Sequence, residues 1–579
     1  MPATPTFTST PVMGAEEGVM YSYQVTATSS DMSAITFELS SGPAGATLSG
    51  NTVTWTPTHQ ESRVGNAFTV KATTAAGGSA TQTWNVTPNG TVNVTAVKTY
   101  WGPLGTTNVS PIWLSGQPYP AAVVPQSDGT FLRLQGAANP DDSFSIPNVP
   151  AGYYWLEFSP SANFWTSTSD FDQGQDIAGD PLPVTAQNTT GFAYTVVEDP
   201  QGTSGVPYIS GFTDVANLNL IGLRSIGLFT AIGSSVTLTT EVDWSKINTL
   251  YFSEYLLTTS GGFTGLVLDG TQIQSNPSLT DGGTNNLTAT ITGGPSTSVG
   301  LEIAGSQWAA LSGTEGPGSP AATSSDYSIF AQPYVSDRYA TPILGLLGPE
   351  FTLLRPAVGG IGIFSPPSPY ECQVSVAFST FPTAGLPAIV TDQNYGSIPY
   401  GDAFPADWPR YLQYCQLSSV TLPRPNSSVS DTFTVSNEQV TAVPNGPVTP
   451  ILSGIQSPTI NGASLFNTAT LNTTSATLSW NSPAIGQPIG YNVSVFQLVT
   501  SPTGTSGYGL ASAYNTAKTS VALTPLTSGS TYVFVITAIA DAGANLETKP
   551  FRHKVPIARA MVVSAPIVIA TGATAMGRR

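Results

Sequence analysis

Between residues 478 and 538 the chain reads LSWNSPAIGQPIGYNVSVFQL, then a polar stretch, then TSVALTPLTSGSTYVFVITAI. Trp480 and Tyr491 lie on two successive alternating runs, and Leu526 and Tyr532 frame a turn that opens a third. One large aromatic on each strand, all facing the same way, is how a small β-sandwich fills the gap between its sheets. Elsewhere Tyr, Phe, Trp, Val, Ile and Thr recur between Gly, Pro, Asn and Ser clusters, at the spacing of about eight to twelve residues that marks short strands joined by turns. No helical apolar period is sustained over several turns. The expected fold class is all-β: tandem β-sandwich domains with a larger central β domain.

A chain of 579 residues is long enough for several domains, each with its own core. The 57 glycines and 48 prolines alone would suggest disorder, but 40% hydrophobic and 10% aromatic residues argue against it. Only 9% of residues are charged, and 17 Lys and Arg against 34 Asp and Glu leave a net charge of −17. With no basic cluster, such a chain is a poor binder of nucleic acid or of an anionic membrane. Its solubility must come mostly from hydroxyl and amide groups, a surface that suits an extracellular protein. The first residues, MPATPTFTSTP, show no secretory signal, so a removed signal or another export route is expected. The apolar run MVVSAPIVIA near the end is too short to cross a bilayer and contains Pro566.

The motif Trp480, Tyr491, and Leu526 through Tyr532 resembles a fibronectin type III domain, with Ser528 where that family often carries Pro. This places a fibronectin-like domain at 441–555, opened by the turn-forming linker TAVPNGPVTP and followed by a strand and tail at 556–579. Residues 1–90 resemble immunoglobulin-like, cadherin-related modules of bacterial surface proteins, through Tyr21, Tyr23, Phe37, Leu39, the Gly42-Pro-Ala-Gly45 turn, Trp55, Pro57, Phe68 and Val70. Residues 91–200 contain DDSFSIPNVPAGYYWLEFSP and resemble a carboxypeptidase regulatory-like, transthyretin-like sandwich, through Phe144, Ile146, Val149, Pro150, Gly152 and Tyr153. That resemblance implies an accessory module and no proteolysis. Residues 201–440 form a β-rich region that matches no recognised catalytic pattern.

Candidate chemistry is sparse. The two cysteines, Cys372 and Cys415, sit in aromatic-rich runs. A disulfide between them would close a loop of about 44 residues, worth roughly 4 kcal/mol by chain entropy; the alternative is two separate buried thiols. Neither His59 nor His553 stands beside a GxSxG elbow or a zinc motif, and both are expected at the surface. Asp170, Asp172, Asp176 and Asp180 crowd a Gly-bearing stretch, SDFDQGQDIAGD, of the kind hard cations favour, which makes Ca²⁺ the one candidate cofactor. Solvated loop carboxylates, with no cofactor, are the default reading, because Gly174 and Gln175 break the EF-hand spacing. Asp407 and Trp408 with Tyr411 could line a sugar site, aromatic faces stacking on pyranose rings, or could equally be core.

The expected function is non-catalytic: a secreted or cell-surface bacterial modular protein for adhesion, scaffolding, or binding of extracellular polysaccharide or a surface protein. Two rivals remain open at this stage. One is a polysaccharide-active enzyme with a carboxylate pair in 201–440. The other is a self-associating coat or fibre subunit.

Overall fold

The computed structural model describes residues 2–102, 105–109, 120–178, 297–317, 391–400, 411–500 and 506–574, apart from isolated positions, and otherwise strand segments between 187 and 380. The described residues are almost entirely strand, with one α-helix at Gly305–Ser312 and a single 3₁₀ turn at His59–Glu61.

The first sandwich has strands β1 (Tyr21–Gln24), β2 (Ile35–Ser41), β3 (Thr47–Ser49), β4 (Thr52–Trp55), β5 (Asn66–Thr74) and β6 (Ser79–Val86). They form two sheets, β1-β4-β3 and β2-β5-β6. In β5, NAFTVKATT, Phe68, Val70 and Ala72 are buried while the residues between them are not, as the two-residue period of a half-buried strand requires. The core is aromatic. Phe68 stacks on Trp84 at 5.2 Å and meets Trp55 edge-on at 5.4 Å. The Trp84 indole N–H is satisfied by the Tyr21 hydroxyl at 3.1 Å, which in turn donates to the Val12 carbonyl at 2.9 Å.

Three residues later the chain enters the second sandwich with β7 (Gly90–Thr95). It continues through β8 (Ala121–Pro125), β9 (Phe131–Gln135), β10 (Phe144–Val149), β11 (Tyr154–Ser159), β12 (Ala162–Thr166) and the three-residue β13 (Asp170–Asp172). One sheet contains β10-β7-β13 and the other runs β9-β8-β11-β12. Val92, Val94, Phe144, Ile146, Leu156, Phe164 and Phe171 fill the space between them, together with Phe551 from far along the chain.

Two long strands, β14 (Tyr411–Pro423) and β15 (Ser430–Ala442), form a hairpin that precedes the C-terminal sandwich. That sandwich is built from β16 (Gln456–Ile460), β17 (Thr477–Asn481), β18 (Gly490–Thr500), β19 (Ser506–Thr516), β20 (Ser520–Ala522), β21 (Thr531–Asp541), β22 (Ile557–Val563) and β23 (Ile567–Thr574). Its sheets are β16-β17-β20 and β19-β18-β21-β22. Trp480 from β17 and Tyr491 from β18 meet edge to face at 5.1 Å between them. The Tyr532 hydroxyl accepts the Thr527 amide at 2.9 Å, closing the corner before β21. Tyr532→Phe removes that acceptor but not the ring, and should lower stability by about 1 kcal/mol in urea titrations, with the sandwich otherwise intact. After residue 556 come two strands, β22 and the start of β23 being buried.

The modules do not hang as separate beads. Strand β12 pairs in parallel with β19 (Asn163 opposite Tyr514, Phe164 opposite Asn515), and β22 pairs with β15. Through these two seams one sheet of 18 strands runs from the second sandwich, across the C-terminal one, into the central region. The tip of the β14–β15 hairpin folds onto the outer face of the C-terminal sheet, where Phe433 packs on Phe496 and Tyr508 at 5.9 and 5.5 Å. Arg424 fixes the tip with a two-pronged bond to Asp431 (2.6 Å each) and a third to the Ser506 carbonyl at 2.8 Å.

Candidate functional site

Among the described residues an open cleft of about 260 Å³ is bounded by Asn93, Thr95, Asp170, Asp172, Thr548 and Lys549. Its floor is β13, which lies parallel to β7 with Asp170 opposite Asn93 and Asp172 opposite Thr95. Strand alternation sends Phe171, 1% exposed, into the core, and turns both flanking carboxylates the other way. Each of them is met by a cation from a different module.

From the first sandwich comes the turn Thr58–Ser62. Glu61 ties it down by accepting the Thr58 amide and hydroxyl at 2.9 and 2.8 Å. The turn presents His59, whose Nδ1 lies 3.1 Å from Glu17 Oε1 and whose Nε2 lies 3.2 Å from Asp170 Oδ2. Glu17 also accepts the Thr91 amide at 2.7 Å, so its carboxylate is fixed to the start of β7. Next along, Arg63 is buried and donates to three carbonyls of the second sandwich: Thr168 at 2.5 Å, Gly152 at 2.8 Å and Pro150 at 3.1 Å. Its guanidinium lies over the Tyr154 ring, 4.9 Å from the centroid, and burial depresses its pKa while raising that of the tyrosine. The close approach depends on Gly90, where a Cβ would stand 2.2 Å from the Ser62 hydroxyl.

From the C-terminal sandwich comes Arg552. Its Nε and Nη2 grip the two oxygens of Asp172 at 2.9 and 3.2 Å, and Nη2 also reaches the Val97 carbonyl at 3.3 Å. A Cβ on Gly174 would lie 2.2 Å from that Nη2, so the glycine that breaks the EF-hand spacing is what lets the guanidinium in. The Asp172 amide bonds the Thr548 carbonyl at 2.7 Å. Beside it Lys518 sits 4.8 Å over the Tyr153 ring, and Tyr153 donates to Glu547 at 3.3 Å.

Chemically this is a fastening. Both nitrogens of His59 face carboxylates, leaving neither to activate a hydroxyl, so no Ser-His-Asp device is present at this histidine. His59 is therefore a junction residue, not the free surface residue that its polar loop suggests. Among the described residues no group of three or more His, Cys, Asp and Glu side chains is placed to hold a metal ion. Asp170 and Asp172 share one face of β13, and Asp176 opens a strand at Asp176–Ala178 paired with Lys98–Gly102. Cys415 and Tyr411 lie on β14, Cys415 opposite Glu438. The side chains of Asp176, Cys415 and Tyr411, and all of Asp180, Cys372, Asp407, Trp408 and His553, lie outside the described residues.

Partial burial would by itself lower the His59 pKa, but the hydrogen bonds and charges of Asp170 and Glu17 outweigh it and raise it above 6.5. Only the imidazolium can donate to both carboxylates. Its contribution is thus complete below pH 6.5 and lost as pH rises through the raised value. With two histidines in the chain, the imidazole Cε1–H spectrum has two signals to follow. The His59 midpoint should lie above 6.5 and fall in Asp170→Asn; a midpoint at or below 6.5 would contradict the bridge.

Sandwiches joined by interlocking sheet edges and charged clasps define a modular all-β protein. Within it, residues 464–554 match the fibronectin type III domain family, so the C-terminal sandwich is a domain of that type. No curated protein matches the chain. Solved structures similar to it include "Sidekick-1 immunoglobulin domains 1-5" (10% identity over 98% of this chain and 99% of that one, TM-score 0.14). Others are the N-terminal four immunoglobulin domains of Dscam1 isoform 7.44 (9%, 98% and 99%, 0.13) and titin domains I67–I69 (12%, 50% and 100%, 0.14). At these TM-scores the likeness does not extend to a common spatial arrangement. No helix among the described residues is long and apolar enough to cross a membrane.

Proposed function

We propose that this chain is a non-catalytic scaffold of the cell exterior, which displays neutral, hydroxyl-rich strand faces to a surface polymer or protein. The observation that carries the reading is where its scarce charges are used. Arg63, His59, Asp170, Asp172 and Arg552 act between modules, Glu17 reaches the Thr91 amide of the second sandwich, and Lys518 and Glu547 of the C-terminal domain both meet Tyr153 of the second. In this reading Asp170 and Asp172 serve the clasps in place of a Ca²⁺ ion. The outward faces carry, beside a few charges such as Arg133 with Glu157, cross-strand hydroxyl pairs: Thr47 with Thr54 at 3.0 Å, Thr69 with Thr83 at 3.2 Å and Ser479 with Ser520 at 3.1 Å. Paired hydroxyls offer a sugar or an amide both donors and acceptors without a desolvated charge. The immunoglobulin-like and transthyretin-like resemblances of the first two sandwiches, and a bacterial surface setting, fit the same reading.

The test is to immobilise the full-length chain and present a panel of polysaccharides and surface proteins, assaying binding and reducing-sugar release together. Saturable binding without turnover is expected. Release of reducing ends, abolished by substituting acidic residues in 201–440, would overturn the proposal in favour of an enzyme.

A further inference from the structure

We infer that β13 is a keystone coupling the first sandwich to the fibronectin type III domain, so that releasing either one loosens the grip on the other. The inference stands apart from what the protein binds and concerns how its two ends communicate.

Strand β13 is three residues long and stands at the edge of its sheet, paired among the described residues with β7 alone. So short an edge strand has few backbone bonds, among them the Asp172 amide on the Thr548 carbonyl at 2.7 Å, and its side-chain ties carry much of its positioning. Those ties lead to different modules. Asp170 takes His59 and the Asn93 amide at 3.2 and 3.3 Å; Asp172 takes Arg552. Between them Phe171 is locked against Phe164 at 5.3 Å, and Phe164 against Phe551 of the fibronectin type III domain at 5.8 Å. Two carboxylates two residues apart on one face of a packed strand cannot shift independently, because close-packed interiors pass displacement on. When Arg552 is removed, β13 keeps only the Asp172 amide on the Thr548 carbonyl as a hydrogen-bond tie to the fibronectin type III domain, the Gly174 turn loses the group it was shaped around, and the hold of Asp170 on His59 loosens. By linkage the effect must run equally in the other direction.

Hydrogen–deuterium exchange on the full-length chain reads this directly. Arg552→Gln is expected to accelerate exchange about fivefold not only near 172 and 552 but also in peptides spanning 56–64 of the first sandwich, and His59→Gln to do the same for 546–552. Arg552→Lys, which keeps the charge but not the fork, should give an intermediate effect and serves as the comparison where Arg552→Gln fails to fold. Arg424→Gln, which breaks the clasp between the β14–β15 hairpin and the start of β19, should leave 56–64 unchanged. The inference is overturned if exchange changes stay on the substituted side in either direction. It is equally overturned if Arg424→Gln reproduces the effect, which would reduce it to general destabilisation.

Discussion

Phe164→Ala will destabilise the chain by about 3–5 kcal/mol, among the largest losses a single substitution can cause here. Phe164 is wholly buried and its ring touches Phe158, Phe171 and Phe551 at 5.9, 5.3 and 5.8 Å. The last contact belongs to another domain, so the cavity left behind opens onto a seam as well as a core. Its lining cannot collapse freely, because β12 is pinned to β19 by the Asn163 amide on the Ala513 carbonyl (2.9 Å) and the Asn515 amide on the Asn163 carbonyl (3.1 Å). Chemical denaturation followed by tryptophan emission should show the second sandwich and the fibronectin type III domain both unfolding at lower urea, since Trp155 lies 5.0 Å from Tyr514 across the same seam. Phe164→Leu should recover most of the loss. A loss under 1 kcal/mol for the alanine variant would refute the shared core.

The second large effect is expected at Arg63→Met, on the order of 3 kcal/mol. Methionine replaces the aliphatic stem but none of the donors; the carbonyls of Pro150 and Gly152 lose this partner, while that of Thr168 keeps the Tyr154 hydroxyl at 2.9 Å. Each buried acceptor left unpaired costs about 1–3 kcal/mol, tempered here by water entering the opened junction. Limited proteolysis should then cut between the first two sandwiches, around residues 87–89, where the wild-type chain resists. Arg63→Lys reaches at most one of the carbonyls and should behave nearly as badly, which separates fork geometry from charge. Wild-type resistance in both variants would show that His59 and Glu17 alone hold the junction.

Much of the fold was legible in the residues and much of the site was not, for a single physical reason. Trp480, Tyr491, Leu526 and Tyr532 announce a sandwich because strand periodicity and corner geometry are local, and the ring contacts they imply are the ones formed. The SFSI run and the turn after it likewise become β10 and the approach to β11. What periodicity cannot convey is which edge meets which. The pairing of β12 with β19, and of Asp172 with Arg552, joins residues some 350 to 380 positions apart. Asp170 and Asp172 show how much a partner adds to a reading of spacing. Two acids two residues apart near a glycine suit a cation loop, and the same spacing on a strand means two carboxylates on one face. One signal was available: Phe171 between them marks a buried strand position, which a Ca²⁺ loop would not need. His59 carried no such signal, because the carboxylates that make it a bridge come from two different modules.

The parallel seam between β12 and β19 also dictates a timetable. During synthesis the second sandwich emerges some 350 residues before the strand that borders it. At ribosomal rates that interval is roughly 20–70 s. Throughout it β12 presents an unpaired edge and Phe164 lacks Phe551, the kind of half-built surface that recruits stray strands. A nascent chain of this protein therefore carries an open strand edge until β19 arrives, and any product truncated before β19 keeps it for good.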